Sequence, residues 1–122
     1  MNAKLKILHI EDSPPDAELI QRCLKKSGLD CEVKVVETKK EYLAALENFF
    51  PDVVLSDHSL LSFNSLEALT IAKNYKSDIP FILVSGVVSE EFAVEIIKAG
   101  ADDYILKSSL MRLPSAIITS AS

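Results

Sequence analysis

The chain is short of the features that mark many specialised proteins. Of its 122 residues only two are cysteine, Cys23 and Cys31. They form no CxxC pair and have no histidine at ligand spacing, so a thiolate metal site is not expected. They read as free thiols of a reducing cytosol rather than as a disulfide across the Gly28 turn. No apolar run approaches the ~20 residues of a membrane helix, and no membrane insertion is expected. The opening "MNAKLKILHIED" has one short apolar patch that ends in acids, with no cleavage-like site, so no signal peptide is read. A cytoplasmic protein follows as the expectation. Positive charge is also scarce: 13 Lys and Arg face 18 Asp and Glu, a net charge of -5. Direct binding to nucleic acid is therefore not expected, because it relies on neutralising phosphates. Glycine occurs three times, and never in the loop "EDSPPD" after the first apolar run. That acidic loop does not suit a phosphate-cradling cofactor binder.

What is present is a regular alternation. Short apolar runs occur at 5–10 "LKILHI", 31–36 "CEVKVV", 52–56 "DVVLS", 80–86 "PFILVSG" and 103–107 "DYILK". The first, third and fourth are nearly continuous in Ile, Leu, Val and Phe, as in parallel strands buried on both faces. The second alternates, with Glu32 and Lys34 out of phase with Val33 and Val35, as in an edge strand.

Helix signals fill the gaps. Ser13, Pro14 and Asp16 make a capping-box pattern, and Gly28 suits the stop. Thr38 and Glu41 repeat the box, with Tyr42, Leu43, Ala45, Leu46 and Phe49 near one face. A third helix is predicted over residues 65–75, ending before Pro80. A fourth starts at the cap Ser89 and ends at Gly100. A short fifth starts near Leu113. The order βαβαβαβαβα predicts an α/β fold, a doubly wound (βα)5 sheet of five parallel strands. Residues 1–122 read as a single domain whose fifth helix is short, as if cut from a longer protein.

Ligands of such sheets gather beyond the carboxyl ends of the strands. There the chain delivers Glu11 and Asp12, Asp57, Ser85, and Lys107. Singly, each has a plain alternative: a helix cap, a loop acid, a turn residue, a solvated strand end. Together they make a site. Three clustered carboxylates repel one another unless a proton or a cation joins them. An all-oxygen donor set favours Mg²⁺ or Mn²⁺. Three acids, one divalent ion and Lys107 sum to zero charge, a setting that can accept a phosphoryl group.

The segments "ILHIEDSPPDAELI", "PDVVLSD", "PFILVSG" and "KAGADDYILK" resemble the receiver domain of two-component response regulators, over about residues 5 to 119. The resemblance implies a flavodoxin-like sheet of strand order 2-1-3-4-5. It implies that Asp57 is the phosphoacceptor, taking a phosphoryl group from a sensor histidine kinase or phosphotransfer protein. Asp12, Asp57 and the backbone carbonyl of Ser59 would bind the metal ion, and Glu11 would hold its water. Lys107 would pair with Asp57 and then with the phosphoryl group. Ser85 would move to that group, and Tyr104 would turn inward as the switch aromatic. An output domain or partner would dock on the face of the fourth helix, fifth strand and fifth helix. A switch of this kind modifies itself and has no independent turnover. The competing expectations are a pseudo-receiver interaction module, which the intact site disfavours, and an aspartyl-phosphate phosphohydrolase. The latter would want an acid where Ser59 stands.

Two histidines are set aside. His58 should point away from Asp57, because side chains alternate along a strand, and rest partly exposed against a helix. His9, inside an apolar strand, is expected to be a hydrogen-bonded core residue. Three positions depart from the family pattern. Leu61 and Ser65 stand where a proline and a glycine are usual, and Ser108 follows Lys107 where proline is common. Either a cis bond precedes Ser108, at ~3 kcal/mol, or the loop differs. Ser59 and Val87 occupy positions that influence hydrolysis of the acyl phosphate in the family. Val87 cannot orient water, so a slow decay is expected.

Overall fold

The computed structural model describes residues 4–58, 63–87 and 89–121. Five parallel strands, β1 (Leu5–Ile10), β2 (Cys31–Val36), β3 (Val53–Ser56), β4 (Phe81–Ser85) and β5 (Asp103–Leu106), lie in the order β2-β1-β3-β4-β5. Between and after them run α1 (Pro14–Ser27), α2 (Lys39–Asn48), α3 (Ser65–Tyr75), α4 (Glu90–Lys98) and α5 (Leu113–Ala121).

The alternation of side chains along each strand divides the core in two. Leu8, Ile10, Val54, Phe81 and Leu83 pack with Tyr42, Ala45, Leu46, Ala68, Leu69, Ala72 and Ile96, which α2, α3 and α4 supply. Ile7, Val53, Leu55, Ile82, Val84 and Ile105 pack with Ile20, Leu24, Leu113, Ala116 and Ile117 of α1 and α5. The middle strands β3 and β4 are buried at every position, in keeping with sequences that are apolar up to their terminal serines, Ser56 and Ser85. Each such aliphatic side chain contributes about 1.5–3 kcal/mol. Truncating one of them, such as Ile82, to alanine would cost about 2–5 kcal/mol.

The helix ends follow local chemistry. In α2 the Thr38–Glu41 box closes in both directions. Its predicted apolar face loses one member: Leu43 is exposed, while Tyr42, Ala45 and Leu46 are buried. In α1 the box is only half made. Ser13 accepts from the Asp16 backbone N–H at 3.4 Å, but the Ser13 N–H goes to Glu11 Oε2 at 3.3 Å. Aspartate is a methylene shorter than the glutamate this motif uses, and the Asp16 carboxylate is engaged elsewhere. Gly28 ends α1 at φ 84, a left-handed turn that glycine adopts without strain.

After β5 the chain does not loop freely. Lys107–Arg112 form a 3-10 segment before α5, a feature the sequence reading lacked. No cis peptide bond occurs among the described residues, so at Lys107–Ser108 it is the loop that differs. The expectations on Ser59 and Leu61 lie outside the described residues. Both cysteines are free, and Cys23 Sγ donates to the Leu110 carbonyl at 3.3 Å. Among the described residues no helix is long and apolar enough to cross a membrane.

Candidate phosphoacceptor site

Strand register brings the acids together. Ile10 pairs with Ser56 across β1 and β3, and the Asp57 N–H donates to the Ile10 carbonyl at 3.0 Å. The residues that follow, Glu11 and Asp57, thus leave the sheet side by side. Glu11, Asp12 and Asp57 each offer a carboxylate oxygen within 4.8 Å of the others. Two oxygens on one octahedral Mg²⁺ are at most about 4.2 Å apart. The cluster is near that size, and its donors are hard oxygens, so it fits such an ion.

Lys107 enters from the far edge of the sheet, where β5 ends. Its Nζ lies 3.1 Å from Asp57 Oδ1 and 2.8 Å from Glu11 Oε1. The Glu11 contact is an ion pair without hydrogen-bond alignment, since Oε1 has no hydrogen-bond partner. A third acid is closer still: Lys107 Nζ donates to Asp16 Oδ2 at 2.7 Å. Burial acts to lower the Lys107 pKa, but the contacts with Asp16, Glu11 and Asp57 outweigh it and raise it above the usual lysine value. Burial pushes the Glu11 carboxyl above its ordinary range, while Lys107 opposes that shift.

Asp16 is the residue that sequence reasoning missed. The signal was there: it occupies the first turn of the helix leaving the rim, four places after Asp12. It corrects the charge count. Four carboxylates surround one ammonium, so a single divalent ion leaves the group negative rather than neutral.

Ser85 is buried at the end of β4, beside the site. Its Oγ accepts from the Val87 N–H at 3.0 Å. Tyr104 is half-buried on β5, and its hydroxyl donates to the Val87 carbonyl at 2.6 Å. The histidines divide. His58 is partly exposed, and its ring sits 4.0 Å from that of Phe92 on α4. His9 is fully buried, but neither ring nitrogen has a hydrogen-bond partner, contrary to expectation. Its Nε2 lies 4.0 Å from Glu11 Oε1. Burial and the charge of Lys107 lower its pKa to about 4, so the ring is neutral near pH 7.

A doubly wound sheet of order 2-1-3-4-5, with acids and a lysine at its carboxyl rim, is the flavodoxin-like fold of phosphoacceptor signalling modules. The response regulator receiver domain family matches residues 7–118, and the chain belongs to it, a phosphoacceptor signalling module of two-component systems. The chain is 28% identical over 98 residues to the luminescence regulatory protein LuxO of Vibrio campbellii, covering 80% of this chain and 21% of that protein. It thus spans about a fifth of the length of that curated relative. A CheY-like receiver domain protein from Methanospirillum hungatei superposes with a TM-score of 0.80 at 28% identity, covering 97% of each chain. The phosphorylated cyanobacterial phytochrome response regulator RcpA superposes with a TM-score of 0.76 at 26% identity, covering 98% of this chain and 90% of that one.

Proposed function

We propose that Asp57 is the phosphoacceptor, receiving the phosphoryl group of a phosphohistidine on a sensor kinase or phosphotransfer protein. A carboxylate oxygen of Asp57 attacks phosphorus, the P–N bond breaks, and its electron pair stays with the imidazole. The observation that carries this is the 3.1 Å contact of Asp57 with Lys107 inside the three-acid cluster. The acids hold a divalent ion, and the lysine supplies the positive charge that a phosphoryl oxygen requires.

In this reading Asp12 and Asp57 ligate Mg²⁺ or Mn²⁺, with the Ser59 carbonyl, which lies outside the described residues. Glu11, buried behind them, holds water of the metal shell. When bound, the ion neutralises charge on the transferring group. Lys107 pairs with a phosphoryl oxygen after transfer. Ser85 leaves the Val87 N–H to bond the phosphoryl group, and Tyr104 follows the loop inward. The changed surface of α4, β5 and α5 then engages an output domain or partner protein. The module forms and hydrolyses its own acyl phosphate and has no separate substrate. Likeness to RcpA, whose structure is that of a phosphorylated protein, supports phosphoacceptance.

The test is incubation with Mg²⁺ and a small phosphodonor, followed by intact mass. One acid-stable, base-labile phosphoryl group is expected, and none after chelation of the metal or in Asp57→Asn. Absence of labelling in the wild type would favour a pseudo-receiver.

A further inference from the structure

Lys107 is held by a residue outside the acid cluster. Asp16 reaches it from the first turn of α1, across 91 positions of sequence, at 2.7 Å. This is shorter than the lysine's contact with Asp57 at 3.1 Å. The three acids around the amine differ in exposure. The side chains of Glu11 and Asp57 are 1% and 13% exposed, whereas that of Asp16 is 39% exposed. Asp16 is therefore the partner that can swing into water when Lys107 turns to another anion.

We propose that Asp16 is a positioning residue of the phosphoryl-transfer site, which holds Lys107 back from the incoming phosphoryl group and tunes the site toward cation and against anion. The inference rests on the reading of Asp57 as acceptor. Glu11, Asp12, Asp16 and Asp57 against Lys107 give a formal charge of -3. Every anionic phosphodonor meets that field, and so does every divalent cation, with the opposite sign. An amine shared among three carboxylates must also release at least one of them before it bonds a phosphoryl oxygen.

A purely structural role makes a different prediction. The α1 cap uses the Asp16 backbone N–H, not its carboxylate. A partly exposed ion pair contributes little to stability. Replacing the carboxylate should therefore spare the fold and alter the site's preference for ions.

The experiment compares wild type, Asp16→Asn and Asp16→Glu. Calorimetry reads Mg²⁺ affinity. Initial labelling rates at saturating Mg²⁺, against acetyl phosphate concentration, read donor affinity. Asp16→Asn should weaken Mg²⁺ binding about threefold and lower the half-saturating donor concentration by a similar factor, as expected for removal of one nearby charge at a solvated site. Its melting temperature should stay near that of the wild type, and Asp16→Glu should behave like the wild type in both assays. Unchanged constants in Asp16→Asn, or constants that both weaken, would overturn the proposal. So would a collapse in melting temperature that Asp16→Glu fails to restore. A wild type that takes no label would overturn the reading of Asp57 and this inference with it. A labelled wild type with an indifferent Asp16→Asn would overturn this inference alone.

Discussion

The Tyr104 hydroxyl donates to the carbonyl of Val87 at 2.6 Å, while Ser85 Oγ holds the N–H of the same residue at 3.0 Å. One peptide segment is thus gripped by a side chain at the site and by an aromatic on the proposed partner face. If Ser85 leaves Val87 for a phosphoryl group, Tyr104 loses a fixed acceptor. Phosphorylation should therefore shift both the Val87 amide and the Tyr104 ring in NMR spectra. In Ser85→Ala the label should still form, but the Tyr104 shift should vanish. A Tyr104 ring that responds equally in Ser85→Ala would show that the two are not coupled.

Val87 presents an apolar side chain, 56% exposed, at the position that the resemblance ties to hydrolysis of the acyl phosphate. It offers neither an acceptor nor a proton. Val87→Glu places a carboxylate two residues beyond Ser85 and should speed loss of the phosphoryl group by roughly tenfold, a modest share of what a positioned general base provides. The check is the decay of labelled protein after removal of the donor. An unchanged decay rate would contradict the account.

Buried His9 makes the fold acid-sensitive. Its pKa falls from 6.5 in the unfolded chain to about 4 in the folded one. Stability is full above the unfolded value and is lost as pH falls from there toward the folded value, because only the unfolded chain gains the proton. Between pH 7 and pH 5 the loss from this group is about 2 kcal/mol. The raised pKa of Glu11 works in the opposite direction as acid is added. Urea unfolding of wild type and His9→Leu at both pH values separates the two. The wild type should lose more stability on acidification than the variant, and equal losses would refute the assignment.

Tyr42 ties α2 to α3. It is fully buried, and its hydroxyl donates to the Ala68 carbonyl at 2.8 Å. Tyr42→Phe keeps the ring and leaves that carbonyl short of a partner, at a cost of about 1–2 kcal/mol. Thermal melting should show the loss, while labelling with a small phosphodonor should be unaffected.

Much of this was legible in the sequence because it is local. The bounds of β1, β2 and α3 match the apolar runs and the predicted helix, since burial on two faces dictates apolar continuity and period dictates phase. Glu11, Asp12, Asp57, Ser85 and Lys107 were visible as strand ends. Asp16 was not, because its role depends on a contact between two element ends far apart in sequence. Its place in a capping pattern also gave it a sufficient local explanation. The unpartnered ring of His9 was likewise hidden: polarity in an apolar strand suggests a hydrogen bond, and only packing shows that none is made. The 3-10 segment after Lys107 had no periodic signal to announce it.

The most direct test of the central claim is to locate the phosphate. After labelling with a small phosphodonor and Mg²⁺, borohydride reduces an aspartyl phosphate to homoserine, and peptide mass spectrometry finds the changed residue. The account predicts homoserine at position 57 and nowhere else. Reduction at Asp12 or Asp16, or a phosphate that resists borohydride because it sits on His58, would contradict it.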